Sequence, residues 1–352
     1  MAQKSLTNNP ALTIDATVDA LDTDRVIIVT DSNVEKIVLP KLSDSKIVST
    51  SEIIAITPGE EGKNLDSVTL IWDKLEEVGA TRRSVVLNIG GGVVTDLGGF
   101  AAATFKRGIR TVNFPTTLLG AVDAATGGKT GMNYRGLKNE IGAFHLPSKV
   151  IISAMPFSSQ SHEEILSGYA EMIKTAFISD RDFYLRLYHL DDVINNPDAL
   201  GEAVEKCVDI KDDVVEQDPT EKGLRKVLNF GHTAGHAFES IRILKGMPVT
   251  HGKAVAHGML VALILSHKLL SFDSKEVNLF ASFLKKYYGQ PLISCKDTSL
   301  AIEKMNSDKK NRKYGEPAFT LLKEIGVPEI NCVPSQKDIS EALEFYLELT
   351  GA

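Results

Sequence analysis

Between Arg25 and Ile152 the chain alternates two kinds of apolar pattern. The short runs Arg25–Thr30, Glu52–Thr57, Ser84–Ile89, Thr111–Phe114 and Lys149–Ile152 are rich in β-branched residues and nearly continuous in apolar ones, which predicts strands buried on both faces. Between them, Leu65–Val78 and Val93–Thr104 place apolar residues three and four positions apart, the period of a helix with one face in a core. Strands alternating with helices in this way predict a mostly parallel, doubly wound, Rossmann-like sheet. Such sheets bind ligands beyond the carboxyl ends of their strands, so the loops that follow strands become the places to look for chemistry.

Beyond residue 160 the period turns helical, through Ile165, Tyr169, Ile173, Ala176 and Phe177 and again from Ala254 to Leu270, and predicts an all-α second half. Pro156 and the run Ser158–Ser161 make a joint, with Ser161 or a neighbour capping the next helix. The expected organisation is an α/β domain over 1–156 and a helical domain over 157–352. A length of 352 residues agrees with about two domains. Apolar content of 43% and charged content of 24% are ordinary for a globular chain. The net charge of −7 argues against nucleic acid as a partner, while leaving room for a local basic pocket. Cys207, Cys295 and Cys332 are scattered and odd in number, so neither a disulfide framework nor a Cys-x-x-Cys metal knuckle is indicated. The first ten residues lack the apolar core of a secretory signal, and no stretch reads as long and apolar enough for a membrane span. A cytoplasmic location is the resulting expectation.

Three loops in the sheet half could hold a nucleotide. Gly90–Gly92 follows a strand and opens the helix that carries Asp96, so bare backbone could approach a pyrophosphate at a helix N-terminus. The run lacks the Gly-x-Gly-x-x-Gly spacing, and tight strand-to-helix turns use the same residues. Asp31–Asn33 and Pro58–Lys63 follow two further strands, where an acidic group could reach a ribose hydroxyl. The stretch Asp123–Gly131 and the Lys138–Asn139 pair bring small residues, two lysines and an amide together, a set suited to an oxyanion.

The helical half supplies metal-type ligands. His232 and His236 lie one helical turn apart, and Glu171 and His251 are found elsewhere in the same half. Neutral imidazole and carboxylate are the donors of an open Zn²⁺-like site, which takes three protein ligands and leaves a position for water or substrate. Spacing alone nominates His232 and His236 as joint ligands, since i and i+4 share a helix face. The other histidines, among them His145, His189 and His257, lack comparable neighbours. Ligands in one half and glycine loops in the other predict an active site in the crevice between the domains.

With these residues in place the chain resembles the 3-dehydroquinate synthase family of sugar phosphate cyclases. The resemblance rests on Gly90–Asp96, Lys106–Gly108, Pro115–Leu119, Val122–Gly131, Lys138–Asn139, Ser167–Lys174, Gly223–Arg225, Leu228–His232 and His251–Gly252, which follow the family's order. It implies a dehydroquinate synthase-like fold with Glu171, His232 and His251 on one divalent ion, zinc or cobalt, leaving His236 to the substrate. It also implies NAD among Asp31, Asn33, Glu60, Lys63, Gly91, Gly92, Asp96, Thr116, Thr117, Lys129 and Lys138. Substrate contacts would come from Asp123, Lys129, Lys138, Asn139, Lys174, Lys211, Arg225, Asn229, His236 and Lys309 or its neighbour Lys310. Arg107 resembles the residue that reaches into a neighbouring subunit's site, which implies a homodimer. The sequence departs from the family at Thr95, where glycine is usual, across Ser158–Ser161, and in a lengthened segment between His236 and His251.

The chemistry implied is conversion of 3-deoxy-D-arabino-heptulosonate 7-phosphate to 3-dehydroquinate and phosphate, a step toward aromatic amino acids. A ring hydroxyl is oxidised so that the neighbouring proton becomes acidic, phosphate leaves, the hydride returns, and an aldol step closes the carbocycle. The rivals are another sugar phosphate cyclase, a metal-dependent NAD alcohol or glycerol dehydrogenase, and a non-catalytic metabolite-binding protein on the same fold.

Overall fold

In a computed structural model that describes residues 3–135, 137–307 and 315–351, the chain forms two compact units. The first comprises residues 1–161 and 197–208, the second 162–196 and 209–352. The expected boundary after residue 156 falls inside the first unit, where Gln160 Oε1 accepts from the Leu118 N–H at 2.8 Å. Residues 197–208, the first part of the Pro197–Gln217 helix, also pack with the first unit. A helical period cannot reveal that, because it reports burial without naming the neighbour.

The first unit is built on a six-stranded parallel sheet. Its strands are β1 (Gln3–Leu6), β2 (Val26–Asp31), β3 (Glu52–Ile56), β4 (Val85–Gly90), β5 (Arg110–Pro115) and, after a hairpin of β6 (Lys129–Tyr134) and β7 (Leu137–Phe144), β8 (Lys149–Ile152). The order across the sheet is β1-β8-β5-β4-β2-β3. Alternation along the strands explains why both faces are covered. Ile27, Val29 and Val86 belong to one core with Val68, Ile71 and Leu75 of the Leu65–Glu77 helix. Ile28, Val85, Leu87 and Ile89 point into the opposite core with Ile14, Val34 and Leu42. The five expected strands and both expected helices are present; β1 and the hairpin are additions.

The second unit is helical, as expected, with one antiparallel hairpin of β9 (Phe319–Glu324) and β10 (Val327–Cys332). Its core includes Phe177 stacked on Tyr184 at 4.3 Å and edge-on to Phe230 and Phe280. The His251–Leu270 helix corrects one expectation, since by length and composition it could cross a membrane. Its most apolar window is 72% buried inside the protein, so the pattern belongs to a helix enclosed on most sides by other helices. Lys309 and Lys310 lie outside the described residues.

Candidate active site

In the first unit, the three loops that could hold a nucleotide follow the ends of β2, β3 and β4, while Lys129 and the Lys138–Asn139 pair lie in the β6–β7 hairpin. Gly91 caps the Gly92–Thr104 helix without a side-chain hydrogen bond, which leaves backbone N–H groups at a helix N-terminus. A Cβ on Gly91 would stand 3.1 Å from Thr117 Cγ2, and one on Gly92 3.1 Å from the Ala124 Cβ, so both are held bare by close neighbours. Thr116 N–H donates to the Gly90 carbonyl at 3.0 Å and Thr117 Oγ1 accepts from Gly120, which fastens the β5 loop against the glycine run. Thr95 is accommodated by donating its hydroxyl to the Gly92 carbonyl at 3.1 Å. Its departure from the family leaves the turn intact.

Lys63, nearly fully buried, pairs with Asp96 at 2.6 Å. Burial pushes the Asp96 carboxyl up, Lys63 pulls it down, and the charges of Asp123 and Glu60 push it up further, with a raised net result. Glu60 accepts from Asn133 Nδ2 at 2.9 Å. These contacts bring Glu60, Lys63, Asp96 and Asp123 into one polar cluster. Asp31 commits one oxygen to capping the Ser32–Ile37 helix through Asn33 N and Val34 N. Lys129, Lys138 and Asn139 are exposed on the β6–β7 hairpin, with Asn139 N–H donating to Asn133 Oδ1. Arg107 is also exposed, and it and Lys106 hold left-handed φ angles of 67° and 48°. Two such non-glycine residues in succession cost on the order of 1 kcal/mol each, so the surrounding structure must impose the turn.

The second unit gathers Glu171, His232, His236 and His251. Glu171 sits midway along the His162–Ser179 helix, while His232 and His251 are each the first residue of a helix, His232–Leu244 and His251–Leu270. Close helix crossings bring these two starts against the middle of the Glu171 helix. Gly252 lies so near the Ser167 backbone that a Cβ would stand 1.9 Å from its carbonyl oxygen, and Gly231, at φ +79°, would drive one to 2.4 Å from Met259. Glu171 Oε1 lies 3.7 Å from His232 Nε2 and 3.6 Å from His251 Nε2. Donors bound tetrahedrally about 2.1 Å from an ion are roughly 3.4 Å apart, and both of these carboxylate–imidazole separations are close to that value. His232, His236 and His251 also place one ring nitrogen each within 4.8 Å of one another, so the three histidines form a group that could itself hold an ion.

Outer contacts orient the rings. His232 Nδ1 faces the Phe230 carbonyl at 3.1 Å and His251 Nδ1 faces Glu239 Oε2 at 3.4 Å, in both cases leaving Nε2 turned toward Glu171. Burial opposes a charge on His251, but the Glu171 and Glu239 carboxylates overcome it and raise its pKa to about 9. Lys174 is no surface lysine: it is 2% exposed and ion-paired with Glu171 Oε2.

A second cluster spans the last turns of the Pro197–Gln217 helix, which carry Lys211, and the segment that follows it. Lys211 and Arg225 are buried, and Arg225 Nη1 donates to the Pro219 carbonyl at 2.8 Å. Asn229 Nδ2 donates to Glu221 Oε1 at 2.7 Å. Sequence reasoning missed Glu221, Glu239 and Asp218. Glu239 had a readable signal, since positions 232, 236 and 239 share one helix face. Asp218 and Glu221 lie in an irregular loop, where no period marks them.

The comparisons with known proteins follow the same division. A 2-epi-5-epi-valiolone synthase of Streptomyces hygroscopicus, solved with NAD⁺ and Zn²⁺ bound, matches with a TM-score of 0.86 and 25% identity over 99% of this chain and 97% of its own. A 2-deoxy-scyllo-inosose synthase, solved with carbaglucose-6-phosphate, NAD⁺ and Co²⁺, matches with a TM-score of 0.83 and 24% identity over 97% of this chain and 96% of its own. The fold is that of the sugar phosphate cyclases. The N-terminal 3-dehydroquinate synthase profile matches residues 53–167 and the C-terminal one residues 168–311. The 3-dehydroquinate synthase of Parabacteroides distasonis is 43% identical over 332 residues, 94% of each chain. The chain belongs to the 3-dehydroquinate synthase family and is an enzyme of that type.

Proposed function

We propose that this enzyme converts 3-deoxy-D-arabino-heptulosonate 7-phosphate to 3-dehydroquinate and phosphate, using NAD and one divalent ion. The observation that carries the proposal is the convergence of Glu171 Oε1 on His232 Nε2 and His251 Nε2, with Lys174 buried beside them. Glu171, His232 and His251 would hold the ion; the Gly91–Gly92 turn, Asp96, Lys63, Thr116 and Thr117, with Asp31, Asn33 and Glu60, would hold NAD. When bound, NAD supplies a transient oxidation of a ring hydroxyl and the ion supplies Lewis acidity next to it.

The protein's own contribution is charge and position. Lys174, fixed by its pairing with Glu171, adds positive potential where negative charge develops on oxygen. Lys211 and Arg225 meet the substrate carboxylate. A buried carboxylate left unpaired costs several kcal/mol, and arginine can grip it with two parallel hydrogen bonds. Asp123, Lys129, Lys138, Asn139, Asn229 and His236, with Lys309, meet the phosphate and ring hydroxyls. Arg107 completes the site of a second copy, so the working form is a homodimer in the cytoplasm with no nucleic-acid or membrane partner.

Turnover of the heptulosonate phosphate against sedoheptulose 7-phosphate, followed by phosphate release, tests this reading. Strong preference for the carboxylated sugar is expected, and Arg225→Ala should depress that reaction far more than the carboxylate-free one. Equal or better turnover of the sedoheptulose compound would overturn the substrate assignment.

A further inference from the structure

Asp218 stands where the Pro197–Gln217 helix ends, and its own N–H still makes the helical hydrogen bond to the Val214 carbonyl at 3.2 Å. Its backbone is therefore fixed relative to Lys211, two turns earlier on the same side of the helix. Its carboxylate then gathers the chain that follows. Oδ1 accepts from Lys222 N at 3.0 Å, and Oδ2 accepts from Gly223 N at 2.7 Å and Arg225 N at 3.1 Å. A turn containing Glu221 at a left-handed φ of 59° is closed around one side chain. Burial disfavours the Asp218 charge, yet the N–H groups of Gly223, Lys222 and Arg225 hold its carboxyl below the ordinary range.

Arg225 is thus held at both ends. Its backbone N–H is bonded to Asp218, and its guanidinium to the carbonyl of Pro219, the residue after Asp218. Four residues on, Asn229 bonds back to Glu221 inside the same turn. A long cationic side chain loses up to about 2 kcal/mol of rotamer freedom on ordering, a cost that a prebuilt turn removes from substrate binding.

We propose that Asp218 is a positioning residue that locks the Asp218–Arg225 turn and so presents Arg225, in fixed relation to Lys211, to the substrate carboxylate. The proposal rests on the reading of Arg225 given above. Neither the ion nor NAD is contacted by this turn in the proposed scheme, so metal content should be unchanged in an Asp218 variant.

A double-mutant cycle on the NAD- and metal-loaded enzyme tests it, comparing Asp218→Ala, Arg225→Ala and the pair on the heptulosonate phosphate. Asp218→Ala should lower kcat/KM about 10- to 100-fold, mainly through KM. In the Arg225→Ala background the same change should cost no more than about 2-fold, because its effect runs through Arg225. Asp218→Asn keeps one acceptor oxygen and should recover part of the loss; it also serves in the cycle if the alanine variant does not fold. Additive losses in the double variant, or an unchanged KM in Asp218→Ala and Asp218→Asn, would overturn the proposal while leaving the role of Arg225 intact. No effect of Arg225→Ala on KM would instead overturn the carboxylate reading and this proposal with it.

Discussion

At the residue scale, the decisive arrangement is a buried carboxylate placed beside two imidazoles and a buried lysine. Lys174 and Glu171 were legible as a pair one turn apart on a helix, with an electrostatic role for the lysine. Their depth of burial was not, since spacing does not say how far a charged pair is enclosed. The assignment of His251 rather than His236 as a ligand comes from the family resemblance, since spacing favoured the i, i+4 pair His232 and His236. The positions of the side chains depend on how three separate helices cross. Glu171→Gln and His251→Ala are expected to lose the bound ion, and His236→Ala to retain it, when metal is measured per chain after purification. Stoichiometric metal loss in the His236 variant would reverse the assignment. A second residue-scale prediction concerns His257, which donates nothing to the site. It is fully buried against the Tyr346 hydroxyl at 2.8 Å, and burial holds its pKa down at about 3. A histidine with a depressed folded pKa stabilises the protein above its unfolded value near 6.5 and loses that contribution as pH falls, because only the unfolded chain takes the proton. Between pH 6 and 4, denaturant titrations should show a component of at most about 1.4 kcal/mol per pH unit from this residue. His257→Asn should flatten that component, and an unchanged slope would rule it out.

At the element scale, buried parallel strands were easy to find because their apolar runs are short, β-branched and bounded by turn residues. The β9–β10 hairpin was not found. Its second strand is only partly buried, with no buried position along it, and so lacks the alternation that marks a half-covered strand. The glycines of the helical half were readable as motif letters but not as contacts. Gly252 shows what they do: it lets the His251–Leu270 helix start against the backbone at Ser167, four residues from Glu171. Gly252→Ala should therefore cost roughly 1–3 kcal/mol by overpacking. It should also weaken metal binding, because the two helices that carry Glu171 and His251 would be pushed apart. A variant that loses stability in thermal unfolding yet binds metal with unchanged affinity would show that the crossing serves packing alone.

At the scale of the whole molecule, the expected behaviour is a reaction with no net redox change. Phosphate should be released over many turnovers per bound NAD without growth of NADH absorbance, and steady accumulation of NADH matched to product would favour the dehydrogenase reading. The sheet that supports the proposed cofactor loops also dictates how the chain can be made. β1 pairs only with β8, Gln3 opposite Lys149 and Leu6 opposite Ile152. Its four residues are synthesised before the other described strands and stay unpaired by β8 until β8 has emerged. At about 5–20 residues per second that is a wait on the order of ten seconds. The loop to be closed is the longest in the sheet, so β1 is expected to dock late, after the β2–β5 strands have formed their local pairs. From the emergence of β8 until β1 docks, the outer edge of β8 is open to any other extended chain. Crowded synthesis, rather than any weakness of the finished fold, is therefore where this enzyme is most exposed to misassembly.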